Sequence, residues 1–345
     1  MTAFAPLRYG VLGAANIARS FTRGVAGSAL ASVVAVASRD GVKAAAFATE
    51  CGIPRSHGSY EGLLADPEIE AVYIPLPNDL HATWAIRAAA AGKHVLCEKP
   101  LAITGEQARA MFAAARAHGV CLAEAYPYMS QPQTLRLREL LAAGVVGRVQ
   151  SVTAAMGFRI VTPEGAPLVD PANIRLVPER GGGALLDAGT YAMSMVRLMV
   201  GERPSRVWAT ARYTQSGVDQ AVAATLVFPG GAMAQMSCNL SSASHRYAMV
   251  AGEAGAVRTD FSNHAPDSGV LSLSVKRGVA LPVPYEREEV PGGDGFRAEA
   301  ESFARMVREG PAGWNGATEA ESIDTVLALQ AIAASARSGA WVEVG

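Results

Sequence analysis

Two groups of side chains in this 345-residue chain have types and spacing suited to acid–base chemistry. The first is Cys97-Glu98-Lys99-Pro100, a charged pair that closes an apolar run. A residue ahead of proline is biased away from the helix, so Lys99 is held on extended chain. A lysine at a cleft, with a low-dielectric wall behind it, makes a good polarising or proton-transferring group. The Lys99–Pro100 bond is also open to a cis geometry. The second group follows the run Gly181-Gly182-Gly183. In the helix predicted there, Asp187, Tyr191 and Ser194 stand at i, i+4 and i+7 and share one face, while Leu185, Ala188, Ala192, Met195 and Met199 form an apolar stripe. Both groups have a plainer reading: a surface Glu–Lys pair at a strand end, and a polar stripe facing water.

A third group points to a bound dinucleotide. Tyr9 to Ala18 reads as an apolar strand, a tight turn and a helix start, with small residues at Gly13, Ala15 and Ala18. Small residues at that spacing let the chain turn, let backbone approach a pyrophosphate, and let the helix pack on its strand. The phosphates would sit on free N–H groups of Gly13, Ala14, Ala15, Asn16 and Ile17 at the helix N-terminus. Ala15 stands where a second glycine is usual, and an ordinary βα turn is the alternative. The next strand ends in Ala37-Ser38-Arg39-Asp40. A hydroxyl followed by arginine suits the 2′-phosphate of NADP, with Lys43 one helical turn on to assist; an acidic residue slightly earlier would mean NAD. Arg39 as a solvated loop charge is the other reading. Pro75-Leu76-Pro77-Asn78-Asp79-Leu80-His81 gives a stiff loop at a third strand end, where Pro75, Leu76, Asn78 and His81 would face the cofactor. Asn78 as a helix cap and His81 as a structural histidine are the competing readings.

These residues need particular elements behind them. Apolar runs and helical patterns alternate through residue 125: strands at 33–38, 71–76, 94–97 and 120–123, and helices at 43–50, 80–91 and 103–118. That rhythm predicts a doubly wound parallel sheet, in which ligands bind beyond the carboxyl ends of the strands, where all these motifs fall. After residue 125 the pattern changes to a helix at 133–143 and longer alternating runs at 149–156, 206–214, 222–228, 232–239 and 247–251, with a hairpin turn at Phe228-Pro229-Gly230-Gly231-Ala232. The expectation is α/β: a dinucleotide-binding Rossmann domain over 1–125 and an α+β domain over 126–345. The second carries a large, mostly antiparallel open sheet, closing helices at 296–308 and 318–336, and a free face that a homodimer would bury.

Composition sets the limits. Half the residues are hydrophobic, 18% are charged and the net charge is −1, which suits a well-buried enzyme and argues against nucleic acid or an anionic membrane as partner. No apolar run approaches a membrane span and no secretory signal pattern opens the chain. Cys51, Cys97, Cys121 and Cys238 lack metal-type spacing and read as reduced core thiols. A cytoplasmic location is expected.

The combination of Gly13-Ala-Ala-Asn-Ile-Ala18, Pro77-Asn78-Asp-Leu-His81, Glu98-Lys99-Pro100 and Asp187-Ala-Gly-Thr-Tyr191 strongly resembles the glucose–fructose oxidoreductase / inositol dehydrogenase family of NAD(P)-dependent oxidoreductases, over nearly the whole chain. Asn173-Ile-Arg175-Leu with Gly181-Gly-Gly183 resembles the branch of NADP-dependent D-xylose dehydrogenase, dihydrodiol dehydrogenase and aldose oxidoreductases. Tyr191, where many relatives carry histidine, separates the chain from the inositol dehydrogenases. The resemblance implies NADP as cofactor and oxidation of an aldose at C1 to the lactone. Tyr191 would be the base. A free tyrosine titrates near ~10, and Lys99, if adjacent, would favour the phenolate. Asp187 would position a sugar hydroxyl or orient Lys99, Asn173 and Arg175 would bind sugar hydroxyls, and no metal is called for. The loop 158–179 would shape the pocket. Competing expectations are an aldose–aldose oxidoreductase that retains its nucleotide, a trans-dihydrodiol dehydrogenase, and a non-catalytic NADP(H)-binding regulator.

Overall fold

The computed structural model describes residues 4–262 and 269–345. In chain order its elements are β1 Leu7–Leu12, α1 Asn16–Val25, β2 Ala31–Ala37, α2 Gly41–Cys51, β3 Arg55–His57, α3 Tyr60–Leu64, β4 Ala71–Ile74, α4 His81–Ala90, β5 His94–Glu98, α5 Gly105–Ala117 and β6 Leu122–Ala125. There follow α6 Pro132–Ala142, β7 Val149–Arg159, α7 Thr190–Val200, β8 Arg206–Tyr213, β9 Asp219–Val227, β10 Met233–Asn239, β11 Ser241–Gly252, β12 Gly255–Thr259, β13 Val270–Arg277, β14 Glu286–Pro291, α8 Gly295–Glu309, α9 Glu319–Ser338 and β15 Val342–Glu343. The chain divides into two compact units: Met1–Ala102, Glu106–Gln131 and Gly293–Glu319 form the first, and Ile103–Gly105, Pro132–Gly292 and Ala320–Gly345 the second.

The first unit is a six-stranded sheet in the order β3-β2-β1-β4-β5-β6, all parallel. Buried strands such as β4 (Ala-Val-Tyr-Ile) need no alternation, because helices cover both faces. The doubly wound parallel sheet expected from the sequence is present. β3 and α3 were not foreseen: β3 is Arg-Ser-His on the sheet edge, with no apolar pattern to announce it. The division also differs from a single boundary at 125. Instead of closing the second domain, α8 belongs to the first unit, where Phe296, Ala300, Phe303 and Ala304 join Leu7, Tyr9, Phe21 and Tyr73 in one core. Phe21 stacks on Tyr73 at 3.9 Å between centroids and meets Phe296 edge-on at 6.2 Å. The cap on α8 is Asp294, which accepts the N–H groups of Phe296 and Arg297.

The second unit is a nine-stranded sheet, β14-β13-β12-β11-β7-β10-β9-β8-β15. It is antiparallel except where β10 runs parallel to β7, with Gln235 opposite Thr153. The hairpin at 228–232 is closed by Phe228 N–H to Ala232 O at 3.0 Å. β12, β13 and β14 extend the sheet beyond the runs legible in the sequence; β14 (Glu-Arg-Glu-Glu-Val-Pro) has almost no apolar face and is an edge strand. On one face the alternation buries Val152, Ala154, Val222, Ala224, Leu226, Ala234, Met236 and Cys238. The four cysteines are free thiols, with Cys97 and Cys238 buried and Cys51 and Cys121 half-buried instead of in the core. Among the described residues, no helix is long and apolar enough to cross a membrane.

Candidate active site

In the first unit, β1 delivers Gly13 into a turn at φ +122°, a conformation that L side chains rarely adopt. A Cβ there would also lie 2.9 Å from Leu76 Cδ2. The following helix α1 has Ala15 at its N-cap, no side-chain cap, and no acidic residue in its first turn. Its leading N–H groups are thus directed at the space beyond the strand ends, with the positive helix end behind them. Ala14 and Ala15 are half-buried there, and Asn16 and Ile17 are exposed. This is the chemistry a pyrophosphate requires, so the loop fits a dinucleotide.

The end of β2 separates two tasks. Asp40 is the N-cap of α2, accepting from Val42 N at 2.9 Å and Lys43 N at 3.1 Å, while its own N–H donates to Ser38 Oγ. One oxygen of its carboxylate, Oδ1, is therefore engaged by the helix. Arg39 and Lys43 are exposed beside it, and the Arg39 charge acts on the Tyr60 phenol. Burial raises that phenol's pKa, and the arginine draws it back.

At the next strand ends, Pro75 and Leu76 are buried, and Asn78 opens a short 3-10 turn, Asn78–Leu80, instead of capping α4. His81 is fully buried. Its Nε2 lies 2.8 Å from Leu76 O and its Nδ1 2.9 Å from Pro100 O. The ring therefore ties two strand-end loops together, which is the structural reading of this histidine. Burial lowers its pKa, partly offset by the two carbonyls. The Lys99–Pro100 bond is cis. Glu98 is buried, accepting Tyr73 O–H at 2.5 Å and the Lys99 N–H at 3.2 Å, so the Glu–Lys pair is not a loose surface pair. Lys99 itself is half-buried.

In the second unit, the glycine run ends in a wide π-type turn, Leu185–Gly189, that continues into α7. Such turns are uncommon and occur frequently at functional sites. The expected apolar stripe is buried throughout, and the polar residues do not face water: Tyr191 is 7% exposed and Ser194 2%. Asp187 pairs with Arg175, Nε to Oδ2 2.5 Å, and the Arg175 guanidinium lies 5.9 Å from the Phe158 ring centre. Asn173 lends its Oδ1 to the N–H of Arg175, capping the short turn 174–176. The sequence brought out Arg175 and Asp187 separately; their pairing across twelve positions had no local signal. It missed Tyr73, which sits inside an apolar strand, and Asp219, which accepts the Leu185 N–H from a distant strand.

Residues 7–126 match the model of an oxidoreductase family with an NAD-binding Rossmann fold, and 134–258 match that family's GFO/IDH/MocA C-terminal domain. The chain belongs to the GFO/IDH/MocA family of oxidoreductases. It is 36% identical to a D-xylose 1-dehydrogenase (NADP(+)) of Haloferax volcanii, over 98% of this chain and 100% of that one. A 3-ketoreductase from Actinomadura kijaniata, solved with NADP and TDP-benzene, is 30% identical with a TM-score of 0.82, covering 96% of this chain and 98% of its own. An aldose-aldose oxidoreductase from Caulobacter crescentus, solved with glycerol, is 27% identical with a TM-score of 0.84, covering 98% and 99%.

Proposed function

We propose that this oxidoreductase is an NADP-dependent sugar dehydrogenase that oxidises the C1 hydroxyl of a cyclic aldose to the lactone. The observation that carries the reading is the end-to-end similarity to a D-xylose 1-dehydrogenase (NADP(+)), joined to a β2 end whose acidic group, Asp40, lends its Oδ1 to a helix cap while Arg39 stands exposed beside it. Arg39, with Lys43 nearby, then meets the 2′-phosphate, Ser38 stands beside it, and the turn from Gly13 to Ile17 takes the pyrophosphate. The nicotinamide, when bound, accepts the two electrons and the hydrogen that leave C1 as hydride. Tyr191 takes the proton of the C1 hydroxyl through its phenolic oxygen. Asp187 and Arg175 orient sugar hydroxyls as a pair, Asn173 fixes the turn that presents Arg175, and Lys99 polarises the reacting oxygen. Buried Glu98, held by Tyr73, fixes the backbone that carries Lys99.

The test is turnover of D-xylose and D-glucose with NADP⁺, with NADP⁺ binding measured in parallel. Lys99→Ala and Tyr191→Phe each abolish turnover while NADP⁺ binding survives; near-wild-type turnover in either variant removes the assignment. A second reading, aldose–aldose cycling on a retained nucleotide, draws support from the Caulobacter crescentus structure. A nicotinamide signal in freshly purified protein, before any cofactor is added, selects it.

The second unit's sheet also suggests a homodimer. Trp208, Thr225, Gln235, Thr153, Met249, Arg258 and Ser274 lie in register across seven strands on one face, with a single charge among them. Met233 and Tyr247 on the same sheet are 57% and 48% exposed. Burying this face against a second copy removes apolar surface from water at little electrostatic cost. Thr153→Arg converts a dimer to a monomer in sedimentation analysis; a monomeric wild type disproves the assignment.

A further inference from the structure

Two adjacent residues at the head of β9 hold both ends of the segment between β7 and α7. The Asp219 Oδ2 accepts the Leu185 N–H at 2.6 Å. This is a leading N–H group of the helical segment, which has no side-chain cap of its own. The fit is close: Gly183 sits at φ +116°, and a Cβ there would lie 2.3 Å from Asp219 Oδ1. Gln220 is 2% exposed, and its Nε2 donates to Thr162 O at 3.1 Å and Pro163 O at 3.0 Å. Its backbone carbonyl in turn takes the Leu240 N–H at 2.9 Å, so it is fixed to the sheet. The segment between these anchors carries Asn173 and Arg175, and the helix beyond it carries Asp187 and Tyr191.

We propose that Asp219 and Gln220 are positioning residues for the reaction: Asp219 sets the axial position of the turn that bears Asp187 and of α7, which continues from it and bears Tyr191, and Gln220 sets the loop that bears Arg175. The proposal rests on the reading of Asp187 and Tyr191 as site residues. A carboxylate that caps from 34 positions away fixes the helix relative to the sheet, which a local cap cannot do. Displacing a reacting group by about 1 Å costs on the order of 100-fold in rate.

The experiment compares Asp219→Asn, Asp219→Ala and Gln220→Ala with wild type, Tyr191→Phe and Asp187→Asn. Asp219→Asn keeps volume and one acceptor oxygen, so it folds; it lowers kcat tenfold or more with KM for sugar changed less than threefold, and Asp219→Ala is slower still. Gln220→Ala raises the sugar KM fivefold or more with kcat within threefold of wild type. Amide exchange at Leu185 speeds up in both Asp219 variants while thermal melting of Asp219→Asn stays within a few degrees. Should Asp219→Ala not fold, Asp219→Asn decides alone. Wild-type kcat in Asp219→Asn, or falls of kcat in all three variants that simply follow their falls in melting temperature, overturns the proposal. Failure of the site reading looks different: Tyr191→Phe and Asp187→Asn would then turn over normally.

Discussion

Arg39 and Asp40 show how two neighbouring charges acquire separate duties. Read as letters, Ser-Arg-Asp leaves NAD and NADP in competition, because an aspartate near a strand end can bind a ribose. In the fold, one oxygen of that carboxylate turns to the N–H groups of Val42 and Lys43 while Arg39 stays exposed, which favours the 2′-phosphate. A charge-assisted contact to phosphate contributes about 1.5–3 kcal/mol. Arg39→Ala therefore lowers kcat/KM for NADP⁺ by about 10–100-fold and leaves that for NAD⁺ within a few-fold, as initial-rate kinetics with both cofactors will show. Single residues in local motifs were legible: Gly13, Glu98, Lys99, Asp187 and Tyr191 all announce themselves by type and spacing. Their partners were not, since Tyr73 depends on which strands lie side by side, and Asp219 and the Arg175–Asp187 pairing on how a long loop folds back.

At the scale of elements, the strand-end loops are tied to one another by a buried imidazole. His81 leads α4, yet its two ring nitrogens face carbonyls from the loop after β4 and from the turn after β5. Removing it leaves two carbonyls without this neighbour and a void where the ring was. His81→Ala costs about 2–4 kcal/mol. Unfolding monitored by circular dichroism shows the loss, and Lys99-dependent turnover falls with it because Pro100 is one of the two points held. Elements with strong periodicity were legible to within a few residues, among them α4, α5, α8 and α9. Elements lacking an apolar face, β3 and β14, were not, because an edge strand satisfies its pairing on one side and exposes charge on the other.

At the scale of a whole unit, the first core encloses charge. Glu98, Glu124 and Glu299 are all buried, and among the described residues neither oxygen of Glu299 finds a hydrogen-bond partner. Burial first, and then the Glu98 and Glu124 charges, hold the Glu299 carboxyl well above the ordinary glutamate range. The unfolded chain releases this proton near pH ~4.3, whereas the native protein keeps it to higher pH. The native state then binds more protons than the unfolded state, and stability falls as pH rises through that window. Glu299→Gln keeps the shape and cannot ionise. Its melting temperature exceeds that of wild type by a margin that widens from pH 5 to pH 8; parallel curves would rule out this account.

The return of α8 into the first unit has a consequence for how the chain is made. Tyr9 donates its hydroxyl to Ala300 O, and Phe21 meets Phe296, across nearly 300 positions of sequence. A ribosome adding about 5–20 residues per second spends about 10–30 s on the stretch between Gln131 and Gly293. For that interval the parallel sheet has emerged with one side of its aromatic core uncovered. The nucleotide-binding half, although first out of the ribosome, stays incomplete until Gly293–Glu319 has followed, and a nascent chain stalled before Gly295 presents a sticky surface for chaperones to shield.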